Sequence, residues 1–316
     1  MWRSMVVVVV AWTAACGGDG AGSVDGGNGR PDAGPSAGTC EPAATGAAAS
    51  GVVRIGARRG RRGEGGWVEA VMVADQAWRF SGLAPQLQQE TAREGDCVLY
   101  EYEPSFCDQP CDGFCVEDTC RAYPRYLSAG TLHVTGAGEP LDLEPDALTY
   151  WGAEYRREID PPPAGAAIQL CAAGGDTAGF TADLVAVEPL DIDIPDDLIV
   201  LADGDDLALD WTPSSDPDAR VRLTLNTDNE HHGLPFAAII ECDTADEGHL
   251  VVPRALIEAF PPVAAPPPGP VACSGTDCPV SRLTRYRAAQ VTASELSPEL
   301  SVEVVAEQAI ELYIGH

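Results

Sequence analysis

The sequence RVRLTLN, residues 220–226, places apolar side chains at every second position. Successive side chains of a β-strand point to opposite faces, so Val221, Leu223 and Leu225 would share one buried face. The same period of two recurs in other short runs: Val98, Tyr100 and Tyr102; Leu132 and Val134; Leu207, Leu209 and Trp211; Phe236, Ala238, Ile240 and Cys242; Val302 and Val304; Ile310, Leu312 and Ile314. This pattern predicts an all-β protein.

The segment VEPLDIDIPD, residues 187–196, separates two groups of strands. We therefore expect two β-sandwich-like domains, a first at 53–189 and a second at 190–316. The order of strands around Trp211 makes the second domain immunoglobulin-like in architecture, although no cysteine precedes this tryptophan in its region.

Two local features refine this expectation. PRALIEAF, residues 253–260, is predicted to form two helical turns, with Pro253 at the first helical position. The last strand is predicted to contain a β-bulge between Val304 and Ile310, where the apolar alternation is interrupted.

The N-terminus is predicted to carry an export signal. Arg3 precedes an apolar run from Met5 to Trp12, which is shorter than the about 20 residues that span a bilayer. The run ends in TAAC, residues 13–16, which resembles a bacterial lipobox with Thr13 where leucine is usual. We therefore expect a lipoprotein signal peptide at 1–15 and a lipid on Cys16. Simple secretion with cleavage near Ala15 is the alternative, and both export the chain.

Residues 16–52 are rich in Gly, Ala, Asp and Pro and contain little that could be buried. Such a composition predicts a disordered tether between the lipid and the folded body. By resemblance to the sorting rule of enteric bacteria, the two glycines after Cys16 favour the outer membrane, so we expect a lipid-anchored protein of the cell envelope.

The cysteines are expected to form disulfides, because exported thiols oxidise. The chain has eleven cysteines, and a lipidated Cys16 leaves an even number. The residues assigned to disulfides are Cys97, Cys107, Cys111, Cys115, Cys120, Cys171, Cys242, Cys273 and Cys278.

FCDQPCDGFCVEDTC, residues 106–120, has four of these cysteines. Its even spacing lacks the two close pairs of a structural zinc site, so zinc is the weaker alternative. We expect a small disulfide-rich insertion at 97–120. Of the three possible pairings, the interleaved one is our hypothesis: Cys107–Cys115 and Cys111–Cys120.

The parity of the cysteines bears on how the two halves are joined. Seven cysteines lie between Cys40 and Cys171, and three lie in the second half. Complete pairing therefore requires a bond across the boundary near residue 190. We expect Cys40 to be the exceptional cysteine, with a distant partner or none, and Cys242 to pair within its own domain.

The net charge of −30 limits the partners. A strongly acidic protein is repelled by nucleic acid, so we expect no nucleic-acid partner. The acidic residues Asp203, Asp205 and Asp206 are weak calcium candidates, together with Asp191, Asp193, Asp196 and Asp197. We expect no cofactor.

Other polar clusters have more ordinary interpretations. His231 and His232 with Asp228 or Glu230 could bind a transition metal, but neighbouring strand residues diverge and an exposed loop is favoured. The arginines at 58–62 are expected in a solvated loop. Tyr150, Trp151 and Tyr155 could stack on a sugar, although core packing is the more frequent use. No zinc-protease, nucleophile-elbow or phosphate-loop motif is present.

Several segments together resemble one family. These are the lipobox and Gly-rich tether, the cysteine cluster followed by YPRYLSAGTLHVTG, GGDTAGFTADLVAVEPL and CDTADEGHLVVPRALI. In this layout the chain resembles uncharacterised outer-membrane lipoproteins of myxobacterial type, which are Cys-rich and β-rich. The resemblance implies no activity.

Three functions remain open on these grounds. The expected one is a non-catalytic, lipid-anchored envelope protein that binds or scaffolds an unknown protein or glycan partner. The alternatives are a calcium- or carbohydrate-dependent adhesion module and a hydrolase with a dispersed active site, for which no catalytic residue can be named.

Overall fold

The computed structural model describes residues 40–60, 63–74, 79–81, 84–86, 89–101, 109–111, 113–116, 119–122, 124–149, 152–202, 204–227, 238–262, 281–292 and 300–315. These residues are mostly in β-strands, which confirms the all-β prediction. The strands are β1 (Ala49–Arg59), β2 (Gly65–Ala74), β3 (Arg79–Ser81), β4 (Ala84–Gln86), β5 (Gln89–Glu94), β6 (Cys97–Glu101), β7 (Gly113–Val116), β8 (Thr119–Ala122), β9 (Leu132–Thr135), β10 (Leu141–Leu143), β11 (Asp146–Thr149), β12 (Gly152–Ile159), β13 (Ala167–Ala172), β14 (Phe180–Val185), β15 (Leu198–Val200), β16 (Leu207–Asp210), β17 (Arg220–Asn226), β18 (Ala238–Ala245), β19 (His249–Val252), β20 (Ser281–Thr292) and β21 (Leu300–Gly315).

The helical segments are short. A 3₁₀ turn covers Pro195–Asp197, and the helix α1 covers Arg254–Ala259. Helix α1 lies where the sequence predicts it, but Pro253 is its N-cap and not its first helical residue. No helix among the residues described is long and apolar enough to cross a membrane.

One large sheet organises the molecule. It contains eleven strands, ordered β11-β12-β2-β1-β21-β20-β17-β18-β6-β5, and β15 also pairs with β21. Strands β20 and β21 form a long antiparallel pair whose register is continuous from Ser281–Leu312 to Thr292–Ser301. The predicted bulge in the last strand is therefore wrong. Residues on both faces of β21 are buried, and this masks its alternation in the sequence.

Two hydrophobic cores lie on the same face of this sheet. Val302, Val304 and Ala306 of β21 belong to the first core, and Ile310 and Leu312 belong to the second. These residues are separated by even numbers of positions along the strand, so their side chains point to the same face of the sheet. The sheet β10-β9-β13-β14 contributes to the first core, whereas the pair β16-β19 and helix α1 contribute to the second.

The expected division into separate domains at 53–189 and 190–316 is corrected by the strand pairing. Strand β6 pairs with β18, and β1 pairs with β21, so strands from both halves share one sheet. Thr39–His316 forms a single compact unit. The second half is accordingly not a separate immunoglobulin-like sandwich. The local pattern identifies strands, but their partners are set by contacts between distant segments.

Residues 40–52 of the predicted tether at 16–52 belong to the folded body, whereas residues 1–39, with the predicted signal peptide and Cys16, lie outside the described residues. Ala43 donates its N–H to the carbonyl of Ala173 at 2.8 Å and accepts from the N–H of Gly179 at 2.8 Å. Strand β1 then begins at Ala49. Residues from Cys40 onward therefore belong to the folded body.

Candidate functional site: the charged face of the large sheet

The face of the sheet opposite the two cores carries charged residues. We call it the charged face and define it by nine residues: Arg54, Glu69, Arg222, Asp243, Tyr286, Glu303, Val305, Glu307 and Glu311. Strand pairing sets Arg54 opposite Glu69 and Tyr286 opposite Glu307. Several of these residues are buried despite their charge, Glu307 to 3% exposure and Glu311 to 2%.

Arg54 and Glu307 form a buried ion pair at the centre of the charged face. The Nε and Nη2 atoms of Arg54 donate to Glu307 Oε2 at 3.1 and 2.8 Å. Glu69 lies on the other side, with its Oε1 atom 3.7 Å from Arg54 Nη1. Burial opposes the charge of Arg54, but the attraction of Glu307 and Glu69 outweighs it and raises the pKa of the guanidinium. Arg54 therefore stays charged inside the protein.

A second cluster surrounds Asp243. Its carboxylate accepts from Arg220 Nε at 2.8 Å, from Arg222 Nε at 2.9 Å and from the Tyr286 hydroxyl at 2.5 Å. Burial opposes ionisation, yet Arg222 and these hydrogen bonds lower the pKa of Asp243. The guanidinium carbon of Arg222 also lies 4.6 Å from the centre of the Tyr286 ring, which is cation–π geometry.

Tyr286 is a donor in this cluster. Burial, and then its hydrogen bond to Asp243, raise the pKa of its hydroxyl to about 12, although Arg222 acts in the opposite direction. The hydroxyl is therefore protonated at neutral pH. The carboxylate of Asp243 has three donors of its own, so the cluster holds a fixed set of charges.

A cavity of about 40 Å³ lies between the two clusters. Its lining consists of Val52, Arg54, Arg222, Thr284, Tyr286, Glu303, Val305 and Glu307. A water molecule needs roughly 10–15 Å³ of such volume, so the cavity has room for about three waters or a small polar group.

The lining of the cavity contains both positively and negatively charged side chains, which could contact a bound molecule. Arg54 Nη1 is buried and has no hydrogen-bond acceptor among the residues described. Glu303 is partly exposed, and its Oε1 atom is 3.8 Å from Arg222 Nη2, beyond hydrogen-bond distance. The chemistry that this arrangement supports is hydrogen bonding to a small polar group.

The sequence patterns did not identify these residues. Arg54, Glu69 and Glu307 each interrupt an apolar strand, in VVRIG, WVEAV and VVAEQAI. A single charge inside a run that is apolar on both sides is the signal that could have found them, because a buried charge needs a partner.

A separate buried ion pair lies beside Trp211 of the second core. Arg285 Nε lies 2.8 Å from Asp246 Oδ2, and Arg285 Nη1 donates to the carbonyl of Pro189 at 2.7 Å. The indole N–H of Trp211 donates to Asp246 Oδ1 at 2.6 Å. Arg285 is only 1% exposed. This arrangement fixes the segment that passes between the cores, and we assign it a structural role.

The calcium candidates do not assemble into a site in the described part of the chain. Asp203 lies outside the described residues. Asp206 accepts the backbone N–H of Arg254 at 2.6 Å, and Asp191 Oδ2 lies 3.4 Å from the Thr212 hydroxyl. Across the ranges described, no group of three or more His, Cys, Asp or Glu residues could hold a metal ion.

The histidine cluster at 228–232 lies outside the described residues. Two other histidines form exposed pairs across strands: His133 Nδ1 is 2.7 Å from Asp142 Oδ1, and His249 Nδ1 is 2.6 Å from Asp210 Oδ1. Each pair is isolated from the other, so they provide surface contacts between neighbouring strands.

The arginine run and the aromatic residues have structural contacts. Arg58 and Arg59 are the last two residues of β1 and not part of the expected loop. The guanidinium carbon of Arg58 lies 5.5 Å from the centre of the Trp67 ring, and Arg59 donates to the carbonyl of Ile192 at 3.0 Å. Tyr155 is buried and donates to the carbonyl of Gly130 at 2.7 Å. Arg61, Arg62, Tyr150 and Trp151 are outside the part described.

The disulfides partly follow the expectation. Cys111 bonds Cys120, as the interleaved pairing predicts, whereas Cys107, Cys273 and Cys278 lie outside the described residues. Cys40 bonds Cys171, a distant partner within the first half. Cys97 bonds Cys242. The prediction that Cys242 pairs within its own half is therefore wrong, and Cys97 belongs to the large sheet and not to the insertion at 97–120.

No protein-family model matches the chain, and a comparison with curated proteins finds no significant match.

Proposed function

We propose that this chain is an exported, lipid-anchored protein of the outer membrane that binds a protein or glycan partner without catalysis. The membrane is engaged through the lipid on Cys16, and nucleic acid is not a partner. The anchor is proposed because residues 13–16 resemble a bacterial lipobox. The folded body is proposed to carry the binding surface.

The observation that carries this proposal is the set of long-range disulfides. Cys40–Cys171 and Cys97–Cys242 join residues 131 and 145 positions apart. Structural disulfides persist in oxidising compartments and are rare where glutathione and thioredoxin keep thiols reduced. They support export, which is what the N-terminal sequence predicts.

The non-catalytic part of the proposal is supported by the charged face. Arg54 is paired with Glu307, and Asp243 is bonded by three donors, so these groups are held in fixed ionisation states. A proton-transfer residue would instead need a pKa near the working pH.

We predict that Cys16→Ser releases the protein from the membrane fraction, because the substitution removes the sulfur that would carry the lipid. The matched variant Thr13→Leu, which restores the usual lipobox residue, should remain in the membrane. Both are measured by fractionation of cells and by incorporation of labelled fatty acid.

The proposal fails if Cys16→Ser stays in the membrane fraction while the unsubstituted protein incorporates no labelled fatty acid. Retention of the label by Cys16→Ser would equally place the lipid elsewhere.

A further inference from the structure

Two disulfides of this protein interleave along the chain. Cys97 lies inside the ring closed by Cys40–Cys171, and Cys171 lies inside the ring closed by Cys97–Cys242. Neither bond joins cysteines that follow one another in the sequence. If the cysteines were oxidised in chain order, Cys40 would bond Cys97 and Cys171 would bond Cys242. Neither of these is a native bond.

The unfolded chain favours other pairings. Cys107 is ten residues from Cys97, whereas Cys242 is 145 residues from it. By the entropy of loop closure, the short ring is roughly fifty-fold more probable in an unfolded chain than the long one. Early oxidation would therefore join Cys97 to a near neighbour or to Cys40.

The native bond depends on a sheet that forms from distant segments. Cys97 and Cys242 lie directly opposite each other on β6 and β18, with their Cα atoms 4.0 Å apart. Both side chains belong to the second core and are at most 1% exposed. A wrongly bonded Cys97 cannot occupy this position, so an incorrect bond must be exchanged before the core closes.

We propose that this protein is a substrate for thiol–disulfide isomerisation, and that its partner in folding is a thiol-bearing isomerase of the compartment to which it is exported. The need for exchange follows from the connectivity, and the compartment rests on the function proposed above. The reaction class is rearrangement of disulfides with no net oxidation.

The exchange balances for the four cysteines concerned. A catalyst thiolate attacks Cys40 of a Cys40–Cys97 bond, forms a mixed disulfide with Cys40 and releases the Cys97 thiolate. The Cys97 thiolate attacks Cys242 of a Cys171–Cys242 bond, forms Cys97–Cys242 and releases the Cys171 thiolate. The Cys171 thiolate attacks Cys40 of the mixed disulfide, forms Cys40–Cys171 and returns the catalyst thiolate.

The test is oxidative refolding of the full-length Cys16→Ser chain after reduction and denaturation. One sample is oxidised with diamide, which supplies no thiol, and another with a mixture of reduced and oxidised glutathione. Peptide mapping without reduction then measures the fraction of molecules with both native bonds. The Cys16→Ser chain keeps ten cysteines, which allow far more pairings than the three open to four. We therefore expect both native bonds in well under a third of the molecules with diamide. With glutathione we expect at least a twofold higher fraction.

The matched control is Cys40→Ser/Cys171→Ser, in which no disulfide among the described residues interleaves with Cys97–Cys242. The gain from glutathione in the yield of Cys97–Cys242 should be smaller in this variant. The proposal is overturned if diamide alone gives both native bonds in nearly all molecules, if glutathione adds nothing, or if the control shows the same gain.

Discussion

At the scale of single residues, the charged face is held by groups whose ionisation is fixed by their neighbours. Tyr286 illustrates this, because burial and its bond to Asp243 raise the pKa of the hydroxyl from 10.0 to about 12. The folded protein then holds this proton more tightly than the unfolded chain does. The contribution of Tyr286 to stability is therefore complete below pH 10 and is lost as the pH rises toward about 12.

This predicts a late-titrating phenol in the folded protein. The difference in ultraviolet absorbance between the native protein and Tyr286→Phe, measured across alkaline pH, should show one phenol that ionises near pH 12. The unfolding midpoint in urea should also depend less on pH in the variant between pH 10 and about 12. If the phenol that the variant lacks ionises near pH 10 in the native protein, the hydrogen bond to Asp243 is contradicted.

At the scale of elements, strand β1 approaches β21 closely. A Cβ atom on Gly56 would lie 2.0 Å from the backbone oxygen of Glu307, so this position excludes any side chain. Gly65 lies at the start of β2, where a Cβ atom would meet nothing within 4 Å. A side chain is therefore excluded at Gly56 on β1 but can be accommodated at Gly65 on the neighbouring strand β2.

We predict that Gly56→Ala lowers the free energy of unfolding by about 1–3 kcal/mol, because the two strands must move apart. Gly65→Ala should change it by less than about 1 kcal/mol, and in the stabilising direction, because alanine loses less backbone entropy on folding than glycine. Urea denaturation of both variants provides the comparison. Equal effects of the two substitutions would show that β1 and β21 are not in close contact at Gly56.

The sequence reveals elements more fully than it reveals their partners. The alternation at residues 220–226 predicted strand β17, and the segment 253–260 predicted helix α1. Strand β21 was harder to interpret, because a strand buried on both faces loses its period of two. The pairing of β6 with β18 has no local signature, since neither strand encodes the other's position.

The same limit applies to the candidate site. Interpretation of the sequence looks for polar residues that are close together along the chain, and the clusters chosen in this way were Asp203 to Asp206 and His231 with His232. The charged face is instead assembled from charged residues on β1, β2, β17, β18 and β21 and from Tyr286 on β20. Its members become neighbours only when the sheet forms.

At the scale of the whole molecule, one sheet crosses the apparent boundary near residue 190. The boundary does coincide with a change of core, because the segment 132–186 contributes to the first core and 190–283 to the second. However, β6 and the long strand β21 cross from one half to the other. The disulfide Cys97–Cys242 makes this crossing covalent.

The most direct test of this account is cleavage of the chain between its halves. A protease site inserted after Asp193, in the exposed segment before the 3₁₀ turn, would be cut in the folded protein, and the products separated by denaturing electrophoresis. We predict one band without reductant and two bands with it, because Cys97–Cys242 holds the two pieces together. In gel filtration without denaturant, we predict that the two pieces elute together. Pieces that separate on the non-reducing gel, or that elute apart without denaturant, would contradict a single sheet joined by this disulfide.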